Sequence, residues 1–100
     1  MDKLLSNLDE AERLVRKAIY IKPEAAFFDT LSWILYKQER YVEAVEISER
    51  AIKLDPNQAE HFYHASLAYL KNGQKEEALE NLKRAVILEN KFGQIAQQEV

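Results

Sequence analysis

Cysteine is absent from this sequence, so neither a disulfide framework nor a thiolate metal site can form. The same absence leaves cytoplasm and periplasm equally open. Glycine and proline occur only twice each, which leaves little room for the many turns of a β fold. Positive charge is not in excess: 14 Lys and Arg stand against 17 Asp and Glu, a net charge of −3. That balance disfavours a phosphate-binding surface, and with it a nucleic-acid partner. No apolar run approaches the ~20 residues of a membrane span, so membrane insertion is not expected. The opening "MDKLLSNLDE" is too acidic, and its apolar run too short, for a signal peptide. With Gly73 and Gly93 the only glycines, no glycine-rich phosphate cradle is available.

Apolar residues are plentiful, at 47% of the chain, enough for the core of one small domain. A pattern also recurs. "YVEAVEISERAIKLDPN" (41–57) returns as "QKEEALENLKRAVILEN" (74–90) at a fixed offset of 34 residues. The offset pairs Glu43 with Glu77, Ala44 with Ala78, Arg50 with Arg84, Ala51 with Ala85 and Leu54 with Leu88. Upstream it pairs Ala25 with Ala59, Phe28 with Phe62, Ser32 with Ser66 and Lys37 with Lys71. A partial copy, "LDEAERLVRKAIYIKPE" (8–24), lies at the front, offset by 33 and aligning Ala11, Ala18 and Pro23 with Ala44, Ala51 and Pro56.

Each full unit contains two helical patterns. Phe28, Leu31, Ser32 and Leu35 fall at i, i+3, i+4, i+7, as do Ala44, Ile47, Ser48, Ala51 and Leu54 in the second pattern. Alanines on a contact face let two helix axes approach closely across a short turn. Pro23 and Pro56 end second helices, because proline lacks an amide hydrogen and its ring clashes with the preceding turn. The spacing predicts helices over 8–21 (or from Asp2), 24–38, 41–54, 58–72 and 75–89. In the tail "KFGQIAQQEV", Phe92, Ile95 and Ala96 predict a short closing helix.

On these residues the chain resembles the tetratricopeptide repeat family over about residues 8–90. The matching positions are Phe28, Leu31, Ser32, Tyr41, Ala44, Ala51 and Pro56, then Phe62, Ala65, Ser66, Tyr69, Gly73, Ala78, Ala85 and Leu88. The stretch "DTLSWILYKQERYVEA" also resembles repeats common in bacterial proteins. The resemblance implies an all-α solenoid of antiparallel helix pairs. It divides the chain into a partial repeat (1–24), full repeats (25–58 and 59–92) and a tail (93–100). The sequence departs from the family pattern in four places. Glu39 stands where the turn glycine is expected, as at Gly73; Ser48 replaces a large residue, as at Leu82; Asn90 replaces the terminal proline. The first unit lacks most of its first helix, keeping "MDKLLS" before a capping-box-like Asn7-x-x-Glu10.

In this family the first helix of each pair lines the concave side. The positions left over from the core are Ala26, Asp29, Thr30, Trp33, Tyr36 and Lys37, then Glu60, Tyr63, His64, Leu67, Leu70 and Lys71. Trp33, Tyr36, Tyr63 and Leu67 offer contact area with few rotors, and Asp29, Lys37, Glu60 and Lys71 a polar rim. One reading is a groove for an extended peptide or a partner helix, with Trp33 as its anchor. The other is that Trp33 and Tyr36 pack against the neighbouring first helix or an adjoining repeat. The Lys, Asn and Arg clamp by which some family members hold a terminal carboxylate is missing from these positions, so an apolar or mixed-charge partner is expected.

No catalytic constellation accompanies the pattern, and no enzyme, cofactor or metal is expected. Glu60, His61 and His64 are spaced for one helix face, yet no ligand from a second element joins them. Ser66 sits at a packing position without an oriented histidine. Two function classes remain: a protein-interaction module, or a structural spacer or self-association segment of a longer array. The incomplete front bears on the second. Leu4, Leu5, Leu8, Val15 and Ile19 exceed what one following helix can cover. Either preceding repeats cover them, the chain being an excised piece, or two copies form a weak homodimer through this N-terminal helix.

Overall fold

A computed structural model of the chain describes residues 2–98, with side chains described over residues 7–90. Leu4, Leu5, Phe92, Gly93, Ile95 and Ala96 fall outside the described side chains. The order is α1 (Asp2–Ile21), α2 (Ala25–Lys37), α3 (Tyr41–Leu54), α4 (Ala59–Lys71) and α5 (Lys75–Gln98), with no strand among the described residues. The pairs α2–α3 and α4–α5 pack most extensively; α1 lies on α2, and α4 lies against both α3 and α2. The result is an elongated body of 47 × 32 × 25 Å, an α-solenoid.

The helix stops follow from local chemistry. α1 closes before Pro23 with Lys22 N–H donating to Ala18 O (2.8 Å). α3 closes before Pro56, where Asp55 Oδ1 accepts from Asn57 N–H at 3.2 Å. α2 and α4 end in the same Schellman arrangement. Glu39 N–H donates to Tyr36 O and Arg40 N–H to Leu35 O; Gly73 N–H donates to Leu70 O and Gln74 N–H to Tyr69 O. Both turn residues are left-handed, Glu39 at φ 63° and Gly73 at φ 81°.

Two expectations at the ends are corrected. α1 is continuous from Asp2, so Asn7 lies inside the helix and caps nothing; Glu10 pairs instead with Arg13. No separate closing helix follows α5, which runs unbroken to Gln98. Asn90 stands where proline stops α1 and α3, and one mid-helix glycine costs only about 1 kcal/mol.

The core is built from the repeating positions. Leu35, Ala44, Ser48, Ala51 and Ala65 are fully buried, all at 0% exposure, with Leu31, Ile34 and Val45 around them. Small residues at the contacts bring the helices close, and the buried serines keep their hydroxyls satisfied within their own helices. Ser32 donates to Asp29 O (2.8 Å), Ser48 to Val45 O (2.9 Å) and Ser66 to Tyr63 O (2.6 Å). Among the described residues no buried side-chain nitrogen or oxygen lacks a partner. Leu54, assigned above to the core face, is instead 54% exposed; it is the last residue of α3, with the chain already turning away.

A polar joint fixes α1 to the α2–α3 turn. Glu12 accepts from Arg16 Nε (2.8 Å), Gln38 Nε2 (3.1 Å) and Arg40 Nη1 (2.8 Å). Burial pushes the Glu12 carboxyl up, but these donors outweigh it and hold it below the ordinary 4.5. Val15 is buried and Leu8, Ala11 and Ile19 pack on the core, whereas Leu14, Tyr20 and Ile21 remain exposed.

Candidate partner-binding groove

The stripe expected along α2 and α4 separates into two sets. One set makes the junction between repeats. Asp29, placed above on a polar rim, is buried: both its carboxylate oxygens lie on His64 Nδ1, at 2.9 and 3.1 Å. An ionised carboxylate only accepts, so Nδ1 carries the proton. The hydrogen bond to Asp29 raises the His64 pKa above 6.5; burial opposes this and the charges of Asp29 and Glu60 add to it. Trp33 is half-buried and stacks with Tyr36 (centroids 5.1 Å, 8° between planes) and with His64 (4.8 Å, 30°). Lys37 Nζ stands 4.8 Å from the indole centroid. Tyr36 meets Tyr41 edge-on at 5.7 Å, and Tyr63 lies 5.8 Å from His64. Five rings therefore run in sequence from Tyr41 through Tyr36, Trp33 and His64 to Tyr63, crossing from one repeat to the next.

The second set stays open to solvent: Thr30, Lys37, Glu60 and Lys71 are exposed, with the half-buried Tyr36 and His64 between them. Thr30 Oγ1 donates to Ala26 O (3.0 Å), so its hydroxyl is engaged within its own helix. Tyr63 and Leu67, grouped above with the concave face, line an apolar cleft between α4 and α5, together with Leu70, Leu79 and Leu82. The 34-residue offset explains the split: Tyr63 and Leu67 correspond to Asp29 and Trp33, which touch the next repeat.

His61, weighed above as one of three residues spaced on a helix face, is buried and its Nδ1–H donates to Asp55 O (3.3 Å). His64 is committed to Asp29, so Glu60, His61 and His64 do not converge on one point. Ser66 is buried with its hydroxyl on Tyr63 O, away from any activating base. Sequence reasoning missed three residues. One is Tyr41, which extends the ring series. Another is Glu49, which accepts from the Tyr69 hydroxyl across α3 and α4; burial first, and then that carboxylate, push the phenol up. The third is Leu82 as a cleft residue, which comparison with the buried Ser48 one unit earlier could have indicated.

Comparison with known proteins supplies the frame. The family model described as "Anaphase-promoting complex, cyclosome, subunit 3" matches residues 5–85. "Protein O-mannosyl-transferase TMTC3" of Homo sapiens is 31% identical over 88 residues, covering 86% of this chain and 10% of that protein. Among solved structures, "MamA MSR-1 C2" superposes with a TM-score of 0.78 at 27% identity, over 85% of this chain and 49% of that one. "Crystal structure of MamA" superposes at 0.82 with 21% identity, over 93% and 55%, a likeness of fold alone. The chain thus spans about half the length of these structures and a tenth of the human relative. The 34-residue recurrence, the stacked helix pairs and the match over residues 5–85 agree, and the chain belongs to the tetratricopeptide-repeat family whose model is described as anaphase-promoting complex, cyclosome, subunit 3.

Proposed function

We propose that this protein-interaction module takes a peptide or partner helix along the open face shared by α2 and α4. The supporting observation is the solvent-exposed set of Thr30, Lys37, Glu60 and Lys71 flanking a ring series that spans two repeats. Charges of both signs suit a mixed-charge partner, and the edges of Tyr36, Trp33 and His64 supply apolar contact between them. Asp29 acts from behind, holding His64 in place. Tyr63 and Leu67 border the face on the side of α5. The module works by recruiting a partner and carries out no chemistry of its own.

The test is a titration with a panel of about 15-residue synthetic peptides of mixed charge, extended and helix-forming, read through the emission of Trp33, the one tryptophan of the chain. Thr30→Arg in the open face should weaken a binding peptide about tenfold or more while leaving the thermal melt unchanged. A panel that leaves Trp33 emission unmoved, or a peptide that binds Thr30→Arg as tightly as the parent, overturns this reading. A second reading, self-association through α1, is favoured by the exposed Leu14, Tyr20 and Ile21. It predicts a weak homodimer that Leu14→Glu abolishes.

A further inference from the structure

The cleft between α4 and α5 is an open apolar surface, and the repeat supplies an internal control for it. One unit earlier, the positions matching Leu79, Leu82 and Val86 are Val45, Ser48 and Ile52. Val45 and Ser48 are buried and Ile52 packs against the core, in the arrangement where α4 lies on α3. Leu79, Leu82 and Val86 are instead 53%, 42% and 50% exposed, and Leu70 and Tyr63 across the cleft are 53% and 47% exposed. Contiguous apolar surface of this kind marks an association site.

The cleft differs in two positions from the surface on which α4 lies. Where α4 packs on the small, fully buried Ser48, the cleft presents Leu82. Where Glu49 accepts the Tyr69 hydroxyl, α5 carries Lys83.

The cleft is complementary to itself. Along α5 the facing residues are Lys75, Ala78, Leu79, Leu82, Ala85, Val86 and Glu89, all of them lining the two apolar clefts that together make this surface. Leu82 is the midpoint of this series, seven residues from Lys75 and seven from Glu89. Reversing the series about Leu82 sets Lys75 on Glu89, Ala78 on Val86 and Leu79 on Ala85: opposite charges meet, Leu79 and Val86 each meet an alanine, and Leu82 meets its own copy on the axis. The neighbouring helix repeats the polarity, with Lys71 at the basic end and Glu60 at the acidic end. At 1.5 Å per residue the distance from Lys75 to Glu89 is about 21 Å, long enough for two helices to pair along three to four turns.

We infer that two copies of this chain pair through the α4–α5 cleft, their α5 helices antiparallel about a two-fold axis at Leu82, with Lys75 of each copy facing Glu89 of the other. Such an isologous contact closes on itself and requires one self-complementary patch. Apolar residues at its centre supply the affinity, and the charged ends fix the direction.

Sedimentation velocity on the full chain, from about 1 to several hundred micromolar, is the test. The parent should shift from monomer to dimer over that range. Leu82→Glu places two carboxylates on the axis and should leave a monomer; Leu82 is partly exposed, so circular dichroism should show the fold and melt retained. Lys75→Glu should weaken the dimer about tenfold. The double variant Lys75→Glu with Glu89→Lys should restore it, because the swapped pair meets in the same register. Leu14→Glu on α1 should leave it intact. A parent that stays monomeric at the highest concentration, a dimer abolished by Leu14→Glu but not Leu82→Glu, or a double variant no better than Lys75→Glu would each overturn the inference.

Discussion

Glu39 and Gly73 occupy equivalent places in successive repeats, each the left-handed residue of a Schellman turn, and opposite substitutions at the two sites should have opposite effects. A side chain in the left-handed region brings its Cβ against the following carbonyl, at a cost of about 1–2 kcal/mol. Glu39→Gly relieves that cost at φ 63° and gives back about 0.4–1 kcal/mol through the larger entropy of glycine in the unfolded chain. The expected net change runs from neutral to about 1 kcal/mol more stable. Gly73→Ala reverses both terms and should destabilise by a similar amount. A Cβ built on Gly73 meets nothing within 4 Å, so the loss comes from backbone strain and not from crowding. For a domain of this length, 1 kcal/mol moves the melting temperature by about 4–8 °C. Thermal melts and urea midpoints of the two variants beside the parent measure this. Clear destabilisation by Glu39→Gly, or clear stabilisation by Gly73→Ala, would refute the strain argument and show that the hydrogen-bonded turn alone sets the conformation.

Ala51 is fully buried where α3 meets its neighbours, so Ala51→Leu should cost about 1–3 kcal/mol by overpacking, read as a lowered urea midpoint; an unchanged midpoint would mean the helices have slack there. The His64–Asp29 pair should make stability pH-dependent. His64 faces Asp29 from α2 and Glu60 on its own helix, and its folded pKa lies above the ordinary 6.5. Its contribution is therefore complete below about 6.5 and is lost as pH rises through the higher folded value. Urea midpoints at pH 6 and pH 9 should differ in the parent more than in His64→Gln; equal differences in both proteins would place the pH dependence elsewhere. Trp33 emission should follow the same titration, since its indole stacks on the imidazole.

The helices, their stops and much of the core were legible in the sequence because each depends on near neighbours in the chain. Pro23, Pro56 and Gly73 act on their own turns, and a residue spaced at i, i+3, i+4 is assigned to a helix face by geometry alone. Leu31, Leu35, Ala44 and Ala51 were identified that way and are buried. What periodicity does not supply is which neighbour, if any, covers a face. Asp29 reads as a rim carboxylate until His64, 35 residues away, is brought against it by the stacking of α4 on α2. Trp33 reads either as an open anchor or as a residue packed on the neighbouring first helix until that same stacking puts the imidazole on its ring. Val45 and Leu79 hold the same position in their repeats, yet one is buried and the other half-exposed. Their difference lies in whether a further helix is present, and burial is a property of that neighbour and not of the residue.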